Sequence, residues 1–67
     1  MANDGTIEPH HIYFEITVLG TTAKVAAIDG ASGVEVSVMG PAHAVNGELK
    51  RIAVVKLRAR LARDAAG

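Results

Sequence analysis

Three histidines, two serines, a glycine-rich turn and a run of basic residues are the features of this chain whose types could do chemistry. His10 and His11 are adjacent, so on an extended chain their rings point to opposite faces and do not chelate one ion. Adding His43 gives three imidazoles without the spacing of a metal site, and no Asp or Glu completes a set. Ser32 and Ser37 have no neighbouring histidine to serve as a base, and Asp29 and Glu35 flank a turn where water reaches both. The stretch "DGASG" (29–33) has the glycines of a phosphate loop, yet no lysine follows and no helix opens from it. It reads as a turn. No catalytic, cofactor-binding or metal-ligating residue is therefore assigned, no cofactor is expected, and the chain is not expected to be an enzyme.

The basic run "KRIAVVKLRARLAR" (50–63) is the strongest functional candidate. Lysines and arginines on an exposed helix bind phosphates with salt-dependent affinity. Here they divide between two faces, and Tyr13 and Phe14 are the sole aromatics, too few for a base-stacking platform. The pI near 6.8 is also far below that of a typical nucleic-acid binder. A nucleic-acid accessory role thus stands second to a protein-interaction role.

The formal charge of zero conceals a division. Residues 1–35 carry Asp4, Glu8, Glu15, Asp29 and Glu35 against Lys24, whereas residues 36–67 carry Lys50, Arg51, Lys56, Arg58, Arg60 and Arg63 against Glu48 and Asp64. The halves can face each other within one molecule or across a dimer.

What must position these residues is small. A chain of 67 residues forms one domain, and a domain of this size buries only about 60% of its unfolded surface. Small scaffolds add disulfides, a metal or self-association. With no cysteine in the sequence, self-association remains, and a homodimer is expected. Apolar runs such as "IAVV" (52–55) fall far short of a membrane span. Residues 1–10 read as a flexible tail without the basic start and apolar core of a signal peptide. A single domain over 11–65, in the cytoplasm, is the expectation.

Within it, "IYFEITVL" (12–19) alternates with period two, the signature of a strand with Ile12, Phe14, Ile16 and Val18 on one face. Gly20 suits a tight hairpin, and "TAKVAAI" (22–28) returns with Ala23, Val25 and Ala27 opposite Val18, Ile16 and Phe14. After the 29–33 turn, "VEVSVM" (34–39) sets Val34, Val36 and Val38 inward, opposite Ala27, Val25 and Ala23. Gly40-Pro41 ends that strand, and Asn46 caps a helix from about 47 to 65.

On a helical wheel Ala53, Val54, Leu57 and Leu61 form one stripe, while Ile52, Val55, Ala59 and Ala62 form another. A surface helix normally has one apolar stripe. Two stripes imply two surfaces to cover, one the sheet and the other most simply a symmetry mate; the alternative is that the second stripe is semi-exposed surface, since alanine is favourable on a helix without a partner. The fold is α+β: a three-stranded antiparallel meander followed by one C-terminal helix (βββα). The dimer forms through the helix or a sheet edge, with exchange of the helix through the 40–46 linker as a further route. The core is expected from Ile12, Phe14, Ile16, Val18, Val25, Val34, Val36, Val38, Leu49, Ala53 and Leu57.

Residues 12–61 resemble a family of short, uncharacterised bacterial proteins. The resemblance rests on Tyr13-Phe14 in the first strand, Lys24 to Ala27 in the hairpin, Ser32 to Ser37 entering the third strand, Gly40-Pro41, and Leu49 to Leu57 in the helix. Ile52 and Val54-Val55 depart from the family's helix pattern but keep its apolar character. The resemblance implies a small bacterial domain and transfers no site residues.

Overall fold

In the computed structural model, which describes residues 11–67, the alternating segments become three strands in one sheet, in the order β1-β2-β3. The strands are β1, Ile12–Leu19, β2, Thr22–Asp29, and β3, Glu35–Pro41. Both pairings are antiparallel. The chain then passes through a 3₁₀ turn, Ala42–Ala44, and a wide π turn, Val45–Leu49, into helix α1, Lys50–Ala66. The expected βββα order is the observed one. The tail assigned to residues 1–10 lies outside the described residues.

The first hairpin has the expected register, with Phe14 opposite Ala27, Ile16 opposite Val25 and Val18 opposite Ala23. Gly20, at φ 63°, takes the left-handed conformation that the two-residue loop demands. The second hairpin is shifted by two residues from expectation: Val36 faces Ala27, Val38 faces Val25 and Gly40 faces Ala23. Because the shift is even, the same side chains still point inward. The turn explains it. Asp29 Oδ2 accepts hydrogen bonds from the Ser32 backbone N–H (2.9 Å) and hydroxyl (2.6 Å), and Gly33 (φ 78°) donates its N–H to the Asp29 carbonyl. With the Asp29 N–H donating to the Val34 carbonyl at 2.9 Å, they close a four-residue loop over 30–33, one residue further along the chain than the expected register requires, so the strands pair from Ile28 and Glu35.

Gly40-Pro41 does not end the third strand; β3 runs through both. Gly40 is needed on the inner face, where a Cβ would lie 2.6 Å from a Leu49 methyl. Asn46 is not the helix cap either. Helical turns begin at Ala42, whose N–H donates to the Thr21 carbonyl at 2.8 Å. The first hairpin thus satisfies a donor that a capping side chain would otherwise serve.

The core lies between α1 and the inner face of β2 and β3: Ala23, Val25, Ala27, Val36, Val45, Leu49, Ala53 and Leu57 are buried. Leu57 and Val25 are the largest fully enclosed side chains. Each contributes about 1.5–3 kcal/mol by leaving water. Ile12, Phe14, Val34 and Val38 pack around this centre, half-buried. Ile16 and Val18, expected inside, are 41% and 55% exposed. The reason is width. A helix is about 10–12 Å across and strands lie about 4.8 Å apart, so one helix shields about two strands. The short connection from β3 keeps α1 over β3 and its neighbour, and β1 is left at the margin.

Candidate interaction surface

Among the described residues, β1 offers two kinds of unsatisfied surface at once. In an antiparallel ladder alternate residues turn their N–H and C=O groups outward. Gly30 donates to the His11 carbonyl at 2.9 Å, which fixes His11, Tyr13, Glu15, Thr17 and Leu19 as the residues bonded to β2. The backbone groups of Ile12, Phe14, Ile16 and Val18 therefore line the outer edge. The side chains of these same four residues make the apolar inner face of β1, half-covered at Ile12 and Phe14 and open at Ile16 and Val18. Leu19, on the opposite face, is 72% exposed.

The other edge of the sheet is blunted. On β3 the outward residues are Glu35, Ser37, Met39 and Pro41, by the same alternation set from the Ala42–Thr21 bond. Lys56 reaches from α1 and donates to the Ser37 carbonyl at 2.8 Å, and Pro41 has no N–H to offer. A lysine and a proline are standard guards of an edge strand. β1 contains neither residue.

Some of the basic residues of α1 are engaged within the chain. Arg60 pairs with Asp64 at 3.1 Å and Arg51 approaches Glu48 at 3.9 Å. Lys50 lies 5.3 Å from the centre of the Phe14 ring, a cation–π contact that also screens β1. Among the described residues Arg58 and Arg63 are the helix arginines without a polar partner, and they stand about 140° apart on the wheel. The charge division does not bond helix to sheet, because both ion pairs among the described residues lie within the helical segment.

The residues weighed for chemistry are dispersed. Ser32 and Asp29 bind each other in the turn, and those hydrogen bonds hold the Asp29 carboxyl below its usual pKa. Among the described residues no three histidine, aspartate or glutamate side chains gather as a metal site; His10 lies outside them. A shallow apolar cleft of about 400 Å³ opens beside the turn, lined by Tyr13, Phe14, Glu15, Ile28, Asp29 and two glycines. The second helical stripe is exposed, with Ile52 at 44% and Val55 at 63%. No helix among the described residues is long and apolar enough to cross a membrane.

Residues 9–64 match the family model of a domain of unknown function, DUF6898. The chain belongs to that family. No curated protein and no solved structure matches it. For DUF6898 in this chain, the open edge was the signal that residue types alone did not carry. A hydrophobic alternation identifies a strand but not which strand the helix leaves uncovered. The length of the β3-to-helix connection does carry that information, since a short one keeps the helix over the last strand.

Proposed function

We propose that this DUF6898 domain is a homo-oligomeric protein-interaction module, working through surface rather than through chemistry at a pocket. The observation that carries the reading is that α1 shields β2 and β3 while Ile16 and Val18, on the same apolar face, are 41% and 55% exposed. Exposed apolar side chains next to an unpaired strand edge are a surface for another chain. The outer stripe of α1, with Ile52 and Val55, offers a further protein partner a second contact. Engagement of Lys56 and Arg60 within the chain, with Arg58 and Arg63 on separate faces, favours this reading over phosphate binding.

Sedimentation equilibrium across roughly 1–200 μM tests it, since that range brackets weak to moderate association. The expected result is a mass rising to that of a dimer. A monomer at every concentration would refute self-association.

A further inference from the structure

We infer that two copies join by antiparallel pairing of β1 with β1, with Ile16 on the twofold axis, to give a continuous six-stranded sheet. The inference rests on the self-association proposed above and adds its edge, its direction and its register.

The edge follows from the guards. Lys56 occupies the Ser37 carbonyl and Pro41 lacks an N–H on β3, whereas among the described residues no side chain donates to the outward backbone groups of Ile12, Phe14, Ile16 and Val18 on β1, Lys50 lying over the Phe14 ring rather than on the strand edge. One open edge among the described residues also gives closure. An edge paired with itself about a twofold axis uses up both copies and stops, while two open edges would propagate.

The register follows from side-chain pairing. Only outward-bonding residues can face each other as hydrogen-bonded pairs, so the choices move in steps of one residue in the position of the axis. With the axis at Glu15, two carboxylates stand directly opposite each other, which is unfavourable. With the axis at Phe14, the exposed Val18 and Leu19 find no facing strand residue. With the axis at Ile16, Ile16 meets its copy, Val18 meets Phe14 of the second copy, and Leu19 meets Tyr13 of the second copy. Glu15 then faces Thr17, and no like charges are opposed. All three exposed apolar residues of β1, Ile16, Val18 and Leu19, gain an apolar neighbour in this register. Pairing of residues 13–19 of each β1 buries less than the roughly 800 Å² per partner of a standard interface. A modest, micromolar association is therefore expected.

The sequence has no cysteine, so single cysteines report the register directly. Facing Cα atoms in a hydrogen-bonded antiparallel pair are about 5.5 Å apart, within disulfide range. Under mild oxidation at 100 μM, Ile16→Cys is expected to form a disulfide dimer. Glu15→Cys and Thr17→Cys are each expected to remain uncrosslinked alone and to crosslink when mixed. Val55→Cys, on the outer helix stripe, sets the collisional background, and circular dichroism checks that each variant folds. Self-crosslinking of Glu15→Cys above that background, or no excess for Ile16→Cys while the wild type sediments as a dimer, would overturn the register and leave self-association standing. A monomeric wild type would overturn both. Faster crosslinking at Val55→Cys than at Ile16→Cys would place the contact on the helix instead and overturn the inference.

Discussion

Leu57→Ala is the substitution that most directly tests how this domain is held together. Leu57 is fully enclosed between α1 and the sheet. Truncation to alanine removes three carbon groups, worth about 2.4 kcal/mol at about 0.8 kcal/mol each. A cavity term adds to that, and measured Leu→Ala losses span about 2.7–5 kcal/mol. The surrounding core is rich in alanine, with Ala23, Ala27 and Ala53 all buried. Such short side chains cannot swing in to fill a void, so a loss of about 4 kcal/mol is expected, in the upper part of that range. Cores of this size rarely supply more than about 3–5 kcal/mol, so the variant is expected at the edge of unfolding. With about 4–8 °C per kcal/mol for a domain this small, the melting temperature should fall by about 15–30 °C. Far-UV circular dichroism at low micromolar concentration, where association contributes least, reads the transition. A fall of less than about 5 °C would show that the helix does not rest on Leu57 and would refute the packing argument. Val55→Ala is the matched control. Its side chain is 63% exposed, so a change within about 0.5 kcal/mol is expected.

Three further changes probe other parts of the structure. Gly40→Ala pushes a methyl against Leu49, itself only 4% exposed, and should cost about 1–3 kcal/mol in urea unfolding; an unchanged midpoint would mean that Leu49 yields freely. The hydrogen bonds from Ser32 lower the Asp29 pKa in the folded state, so its contribution is present above the unfolded value of about 3.9 and is lost as pH falls through the folded one. Melting temperatures from pH 6 to 2 should decline less steeply for Asp29→Asn than for the wild type, and equal slopes would remove Asp29 from the turn's acid response. If β1 pairs with β1, replacing both guards of β3 in a Lys56→Met, Pro41→Ala variant should produce species larger than a dimer in light scattering, since both edges can then pair; a mass unaltered from the wild type would show that these residues do not guard the edge.

Much of the architecture is legible in the alternation of β1 and β3 and in the glycine at position 20. Period two identifies a strand and its inner face whatever surrounds it, and a two-residue loop leaves the first hairpin a single natural register. The 29–33 turn is different. Its sequence announces a turn, but which residues the loop is centred on depends on how Asp29 bonds to Ser32 and Val34. That bonding moved the second pairing by two residues. The same limit applies at the helix start. Asn46 has the right chemistry for a cap, yet the Thr21 carbonyl had already served the leading N–H of Ala42, and that partner is remote in sequence. Phe14 shows how burial is misjudged when only one strand is considered. Its face is correct, but it sits at the margin of the helix, half-buried with Lys50 over its ring. Its truncation should therefore cost about 2 kcal/mol rather than the roughly 3–5 of a fully enclosed phenylalanine.

The interaction surface has a similar logic. The outer stripe of α1 is exposed at Ile52 and Val55. Half of it, however, is Ala59 and Ala62, which lose little by facing water and are favourable on a helix surface. A strand edge is more demanding, because its N–H and C=O groups have direction and spacing as well as affinity for a partner. On β1 those groups coincide with Ile16 and Val18, side chains that belong to the core face but lie beyond the reach of the helix. A further strand in the same plane would cover both, and the one strand always present at equal concentration with matching alternation is β1 of a second copy. The outer stripe of α1 would then lie on the same side of the six-stranded sheet in both copies, since the twofold axis is perpendicular to it. A dimer of this kind presents Ile52 and Val55 twice on one face, which gives a bivalent surface to any third protein that docks there.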